Sequence, residues 1–167
     1  MHEFQISLVN ETRHAVDEER LRDAVRAVLR DSQFQSATIS IAVVDDEAIH
    51  ELNRQYLNHD WPTDVLSFVL TEKDEHLEGE VILSADTAAA ASAETGWPAE
   101  AEQLLYVIHG TLHLVGYRDK SPADAQTMRA AEAKYLRQLG FKLSRPAERA
   151  EADQPAINQP HPGATSR

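Results

Sequence analysis

Leu104-Leu105-Tyr106-Val107-Ile108-His109-Gly110-Thr111-Leu112-His113-Leu114-Val115-Gly116 decides how this chain must fold. Wound as a helix, the segment is apolar on nearly every side, and a helix apolar all round is buried. It begins near residue 99, after Gly96-Trp97-Pro98 breaks the preceding segment, and Gly116 ends it. The rest of the chain therefore has to be layered around residues 99–115. Two histidines interrupt the apolar surface. His109 and His113 are four apart, so they lie on one helix face, one turn from each other. Asp119 follows six residues after His113, beyond the glycine that lets the chain turn back.

Two imidazoles on one face can grip one metal ion, and Asp119 can close a third corner. Three protein ligands with one open position is the pattern of a catalytic zinc site. The alternative is a pair of core histidines, each satisfied by hydrogen bonds. Each neutral imidazole brings a donor and an acceptor that need partners when buried. A shared metal satisfies the two facing nitrogens at once. Zincin proteases place a glutamate after the first histidine as general base. Gly110 stands there instead, which leaves peptide hydrolysis a minor alternative. A glycine costs about 1 kcal/mol inside a helix, and in return it leaves room for a ligand or a backbone to come close.

Working outward, residues 4–9, 37–44, 65–70 and 79–83 carry the alternating or β-branched patterns of strands. Helical stripes cover residues 17–30, a segment capped by Asp45 or Asp46 and carrying Ile49, Leu52, Asn53 and Tyr56, and residues 85–94 behind Ser84. The last helix starts at Ser121-Pro122 and ends at Gly140. Residues 71–78 are polar and read as a hairpin connection, and 59–64 as a loop. The expectation is one α+β domain over 1–143: a small mixed sheet of four strands, about five helices, and a metal site at the end of the buried central helix. Residues 144–167 hold four of the seven prolines and little to bury, so they are expected to be disordered.

Composition narrows the function. Cysteine is absent, so any metal must be held by His, Asp or Glu. No apolar run reaches the roughly 18 residues of a membrane span, and the N-terminus lacks the pattern of a signal peptide. A cytoplasmic protein is expected. The net charge of −12 disfavours nucleic-acid contact except at a local positive patch or a metal.

Residues 109–117 match the H-G-x-L-H-L-x-G-Y portion of the motif of the YbeY endoribonucleases, metalloproteins of rRNA maturation. Pro62-Thr63-Asp64-Val65-Leu66-Ser67-Phe68 resembles a second block of that family, and Gly79-Glu80-Val81-Ile82-Leu83-Ser84 a third. Met128 and Glu132 fit the spacing that follows the metal motif. The resemblance runs over about residues 4–143. It implies an α+β fold and one Zn2+ held by three residues, here His109, His113 and Asp119. It also implies cleavage of single-stranded RNA in rRNA processing, such as 16S 3′-end maturation and ribosome quality control, with the small ribosomal subunit or its proteins as partners.

The chain departs from the family at three positions. The third ligand is Asp119 where the family has His, and Arg118 stands where the family has Asp. Carboxylate is an acceptable zinc ligand, at about 2.0–2.2 Å. It leaves the metal less positive than three imidazoles would, makes a bound water a weaker acid, and opens the site to manganese or iron. The arginine of the family's Y/W-R-x-x-D block is Leu57. Arg54, one turn earlier, His59, two residues later, and Arg118 beside the metal are the candidate substrate-binding residues. Arg118 is the candidate to take over phosphate recognition. His59 is also a candidate base, with a solvated loop residue as the alternative. Thr63 and Asp64 belong to the family block but can equally cap the strand start. Two rivals remain: a non-catalytic ribosome-assembly factor stabilised by zinc, and a metal-dependent hydrolase of small substrates.

Overall fold

The computed structural model describes residues 1–141 and the backbone of 164–166. Its elements run β1 (Glu3–Asn10), α1 (Glu18–Arg30), β2 (Ser36–Val44), α2 (Asp46–Leu57), β3 (Val65–Lys73), β4 (His76–Ser84), α3 (Ala85–Thr95), α4 (Ala99–Leu114), α5 (Pro122–Gln138) and the short β5 (Ala164–Ser166). The α+β class with a four-stranded mixed sheet and five helices matches the expectation. The sheet order is β1-β2-β4-β3-β5: β2 runs parallel to β1 and β4, β3 returns antiparallel to β4, and the three-residue β5 is added at the β3 edge of the four main strands. Of the tail expected to be disordered, residues 144–163 and 167 lie outside the described residues. The remaining three form β5, paired antiparallel with Leu66–Phe68 of β3. An edge strand offers unpaired N–H and C=O groups, and β5 takes up some of those of β3.

Helix starts follow the local chemistry. Asp45 accepts from the Ala48 N–H, Ser84 from Thr87 and Ser121 from Asp124, each satisfying one of the donors a helix N-terminus leaves open. Left-handed Asn58 ends α2, and the His59 N–H then bonds back to the Asn53 carbonyl. The hairpin between β3 and β4 is tighter than the polar run 71–78 implies. Only Asp74 and Glu75 form its turn, both at positive φ, and the strands reach Lys73 and His76.

The sheet is two-sided, as strand alternation requires. Ile39, Ile41, Val65, Val81 and Leu83 face the main core beneath α1, α3, α4 and α5. Val44, Leu66 and Ile82 face the other way and pack with Ile49 and Leu57 of α2. Helix α4 is buried throughout from Ala101 to Leu112, as its all-round apolar sequence demands. It packs against β3 and β4 through Gly110. A Cβ there would stand 2.9 Å from Val81 Cγ1 and 3.2 Å from Val65 Cγ2. The room that Gly110 leaves is thus taken by the sheet.

Candidate metal centre

His109 and His113 occupy the last two turns of α4. Gly116, at φ 111°, reverses the chain so that Asp119 comes back over them. The His109 and His113 Nε2 atoms are 3.0 Å apart. Asp119 Oδ2 lies 3.3 Å from the first and 3.2 Å from the second. The rings meet edge to face, with centroids 4.6 Å apart. Both histidine side chains are almost completely buried, and that of Asp119 is one-quarter exposed, so the group opens to solvent on the carboxylate side.

The outer nitrogens explain why the inner ones converge. His109 Nδ1 lies 2.5 Å from Glu132 Oε2 on α5, and His113 Nδ1 lies 3.0 Å from the Tyr117 carbonyl oxygen. Carboxylate and carbonyl oxygens only accept, so each Nδ1 carries the proton and each neutral ring turns its Nε2 lone pair inward. Two lone pairs and a carboxylate oxygen then face one another, and they repel unless a cation lies between them.

A proton is one such cation. Burial, however, pulls the His113 pKa below its ordinary value, and His109 adds to the shift. Asp119 and the Tyr117 carbonyl only partly oppose it. Burial would by itself raise the Asp119 carboxyl, but its contacts with the His109 and His113 rings outweigh this and hold it far below the usual carboxylate range. Asp119 is therefore an anion at neutral pH. A divalent metal suits this donor set better than a proton on a buried ring. Tetrahedral zinc with bonds of about 2.0–2.2 Å spaces its ligand atoms about 3.3–3.6 Å apart. The observed edges of 3.0, 3.2 and 3.3 Å fit with an opening of a few tenths of an ångström. Among the described residues, His109, His113 and Asp119 are the group of three whose ligand atoms lie within 4.8 Å of one another.

The other predicted site residues are not gathered in the same way. Arg118 is exposed in the loop that carries Asp119. Arg54 lies on the outer face of α2, more than half exposed and paired with Glu51. His59, the candidate substrate-binding residue and base with a solvated loop residue as the alternative, is withdrawn from solvent. It is 1% exposed, stacks on Trp61 at 4.6 Å between centroids, and among the described residues neither ring nitrogen has a hydrogen-bond partner. Burial lowers its pKa, and the charge of Lys120 lowers it further. His59 belongs to the loop before β3. Asn53, fully buried, holds that loop through a bond from Nδ2 to the Trp61 carbonyl. Thr63, Asp64 and Ser67 are buried at the start of β3, and the Asp64 carbonyl accepts from the Ser84 N–H. Leu57 is core, packed in the small cluster under α2. Sequence reading passed over Lys120, although its position next to Asp119 was a signal. It noted Glu132 without connecting it to His109, a contact spanning 23 residues of chain.

Comparison with known proteins agrees with this architecture. The family model for Endoribonuclease YbeY matches residues 6–140. An Endoribonuclease YbeY of Chlorobium phaeovibrioides is 36% identical over 146 residues, 87% of this chain and 98% of that protein. One of Desulfitobacterium hafniense is 39% identical over 126 residues, 70% of this chain and 80% of that protein. One of Rhodopirellula baltica is 41% identical over 108 residues, 64% of this chain but only 56% of its own length. The solution structure of a Thermotoga maritima protein superposes with a TM-score of 0.58 at 26% identity, covering 81% of this chain and 88% of the other. With the family model spanning the whole of the layered domain and the histidine pair inside it, this chain belongs to the Endoribonuclease YbeY family.

Proposed function

We propose that this protein is a metal-dependent endoribonuclease acting on single-stranded RNA in rRNA processing, including 16S 3′-end maturation and ribosome quality control. Its place of action is then the cytoplasm, with the small ribosomal subunit or its proteins as partners. The proposed cofactor is one zinc per chain, held by His109, His113 and Asp119. The observation that carries this reading is the convergence of two Nε2 lone pairs and a carboxylate oxygen, with both Nδ1 atoms already engaged. No described helix is long and apolar enough to cross a membrane.

When bound, the metal would act as a Lewis acid on a phosphate oxygen of the RNA. The rest falls to the chain's own residues. Glu132 and the Tyr117 carbonyl hold the two rings in one tautomer, and the buried flank of α4 keeps water from the rear of the site. Arg118 and Lys120, exposed on either side of Asp119, would supply the positive charge that meets phosphate. Attack by the substrate's own 2′-hydroxyl asks little of the protein beyond holding the phosphodiester. With a net charge of −12, RNA binding away from this loop is weak and salt-sensitive.

A second reading is favoured by one observation. Leu57, at the position of the family's arginine, is 3% exposed and packed into a core cluster. A protein without that arginine could keep the metal to tie α4 to its following loop and serve as a non-catalytic assembly factor. The test is metal content and cleavage of single-stranded against duplex RNA, for the protein and for Asp119→Ala. Stoichiometric zinc and single-strand cleavage, both lost in the variant, are expected. Stoichiometric zinc without cleavage in the unaltered protein overturns the enzymatic reading in favour of the assembly factor.

A further inference from the structure

Glu132 is a carboxylate in the core that the ligand set leaves unexplained. It lies on α5, it is 6% exposed, and its Oε2 is 2.5 Å from His109 Nδ1. It cannot join the metal as a fourth ligand while it holds that nitrogen, because Nδ1 and Nε2 lie on opposite edges of the ring. The two histidines are also backed unequally. His113 Nδ1 lies 3.0 Å from a neutral backbone carbonyl, whereas His109 Nδ1 lies 2.5 Å from a carboxylate oxygen. A carboxylate in that position fixes the tautomer and the ring plane, and it makes the opposite nitrogen a stronger donor.

We infer that Glu132 is a positioning residue for the metal: it locks His109 as the Nδ1–H tautomer and makes it the anchoring ligand of the site. This rests on the metal reading above. The anchor is rigid for two reasons. His109 sits one residue from the close helix–sheet contact at Gly110, and its ring is clamped from the second helix by a side chain nearly as buried as itself. The other two ligands are softer. His113 is backed only by the turn at Tyr117, and Asp119 lies in the loop itself, with its side chain one-quarter exposed. The site therefore gives way first on the His113–Asp119 side, the side open to solvent.

The experiment combines zinc affinity, by competition with a chromogenic chelator, with the 15N shifts of the His109 ring in the metal-free and zinc-loaded protein. Three proteins are compared: unaltered, Glu132→Gln and Glu132→Ala. The amide oxygen of Gln still accepts from Nδ1–H but carries no charge, so Gln should keep the tautomer and lose a few-fold in affinity. Ala should lose about 10–100-fold, the range for removing such a partner, and its metal-free His109 should show a mixture of tautomers. Should Ala fail to fold, Gln and the unaltered protein still carry the test. Zinc affinities within twofold across the folded proteins, or an Nε2–H tautomer in the unaltered one, overturn the proposal. If the unaltered protein binds no zinc, the metal reading fails instead, and the Nδ1–H state of metal-free His109 still tests the role of Glu132.

Discussion

Replacing Gly110 with alanine tests whether the site depends on how closely α4 lies on the sheet. The new Cβ would meet Val81 Cγ1 at 2.9 Å and Val65 Cγ2 at 3.2 Å, and both valines are at most 1% exposed. Neither can swing aside cheaply, because a β-branched side chain on a packed strand has few rotamers open to it. Overpacking of this kind costs about 1–3 kcal/mol, while the gain in helix propensity from Gly to Ala returns about 1 kcal/mol. The expected result is a net loss of about 1 kcal/mol, or about 2–4 °C in the melting temperature of a domain this size. Zinc affinity should fall as well, since His109 is the next residue and moves with the helix. Thermal melts of metal-free protein and chelator competition measure the two effects. Val81→Ala removes both of that residue's nearby methyls, so the double variant should be more stable than the sum of its singles predicts, by about 1 kcal/mol. A Gly110→Ala variant that melts higher than the unaltered protein, with zinc affinity unchanged, would refute the close-packing explanation for this glycine.

Other outcomes follow from the same geometry. Asp119→Ala should lose stoichiometric zinc in elemental analysis, whereas Asp119→His, which restores the family's ligand type, should retain it. Arg118→Ala and Lys120→Ala should each reduce the dependence of RNA affinity on salt, by about 0.7 in the log–log slope if each residue contacts one phosphate; titrations at several salt concentrations read this directly. Acid stability has a defined sign. Asp31 is held below its ordinary pKa chiefly by the Tyr135 hydroxyl, and Asp86 by the Asp46 N–H and His14. A depressed folded-state pKa contributes stability above the unfolded value of about 3.9, and this is lost as pH falls through the folded value. Asp31→Asn and Asp86→Asn should therefore lower stability at pH 7 and flatten its fall below about pH 4 in urea titrations. The effects should be modest, since both carboxylates are at least 40% exposed.

What sequence could show here was set by the range of the interactions. Caps at Asp45, Ser84 and Ser121 are contacts over three residues, and the structure has them as expected. The burial of α4 follows from its own periodicity, and so does the facing of His109 and His113. The hairpin ends were misplaced because Thr71, Glu72, Lys73 and Glu78 are polar, while Asp74 and Glu75 adopt positive φ without the Gly or Asn that marks such turns. The burial of His59 depends on a ring stacked two residues on and on a loop pinned by Asn53. Neither leaves a periodic trace. The hydrogen bond from His109 to Glu132 crosses between two helices, and spacing alone could only place the glutamate on α5.

The departures from the family pattern are coupled through charge. At the three positions concerned the family carries Asp, His and Arg, a formal sum of zero with a neutral imidazole. This chain carries Arg118, Asp119 and Leu57, and the sum is again zero. The charges have exchanged places. The anion has moved onto the metal-facing side, where two histidine nitrogens meet it at 3.2 and 3.3 Å. The cation has moved from the end of α2 to the exposed residue before it in the same loop. A carboxylate ligand without Arg118 beside it would leave the centre one charge more negative toward RNA. Leu57 itself packs in the apolar cluster under α2. Arg118→Ala should therefore weaken RNA binding while leaving zinc content intact, and Arg118→Asp, which installs the family's residue, should weaken it more than Ala does. Equal affinity in all three proteins would show that the exchange is not a compensation.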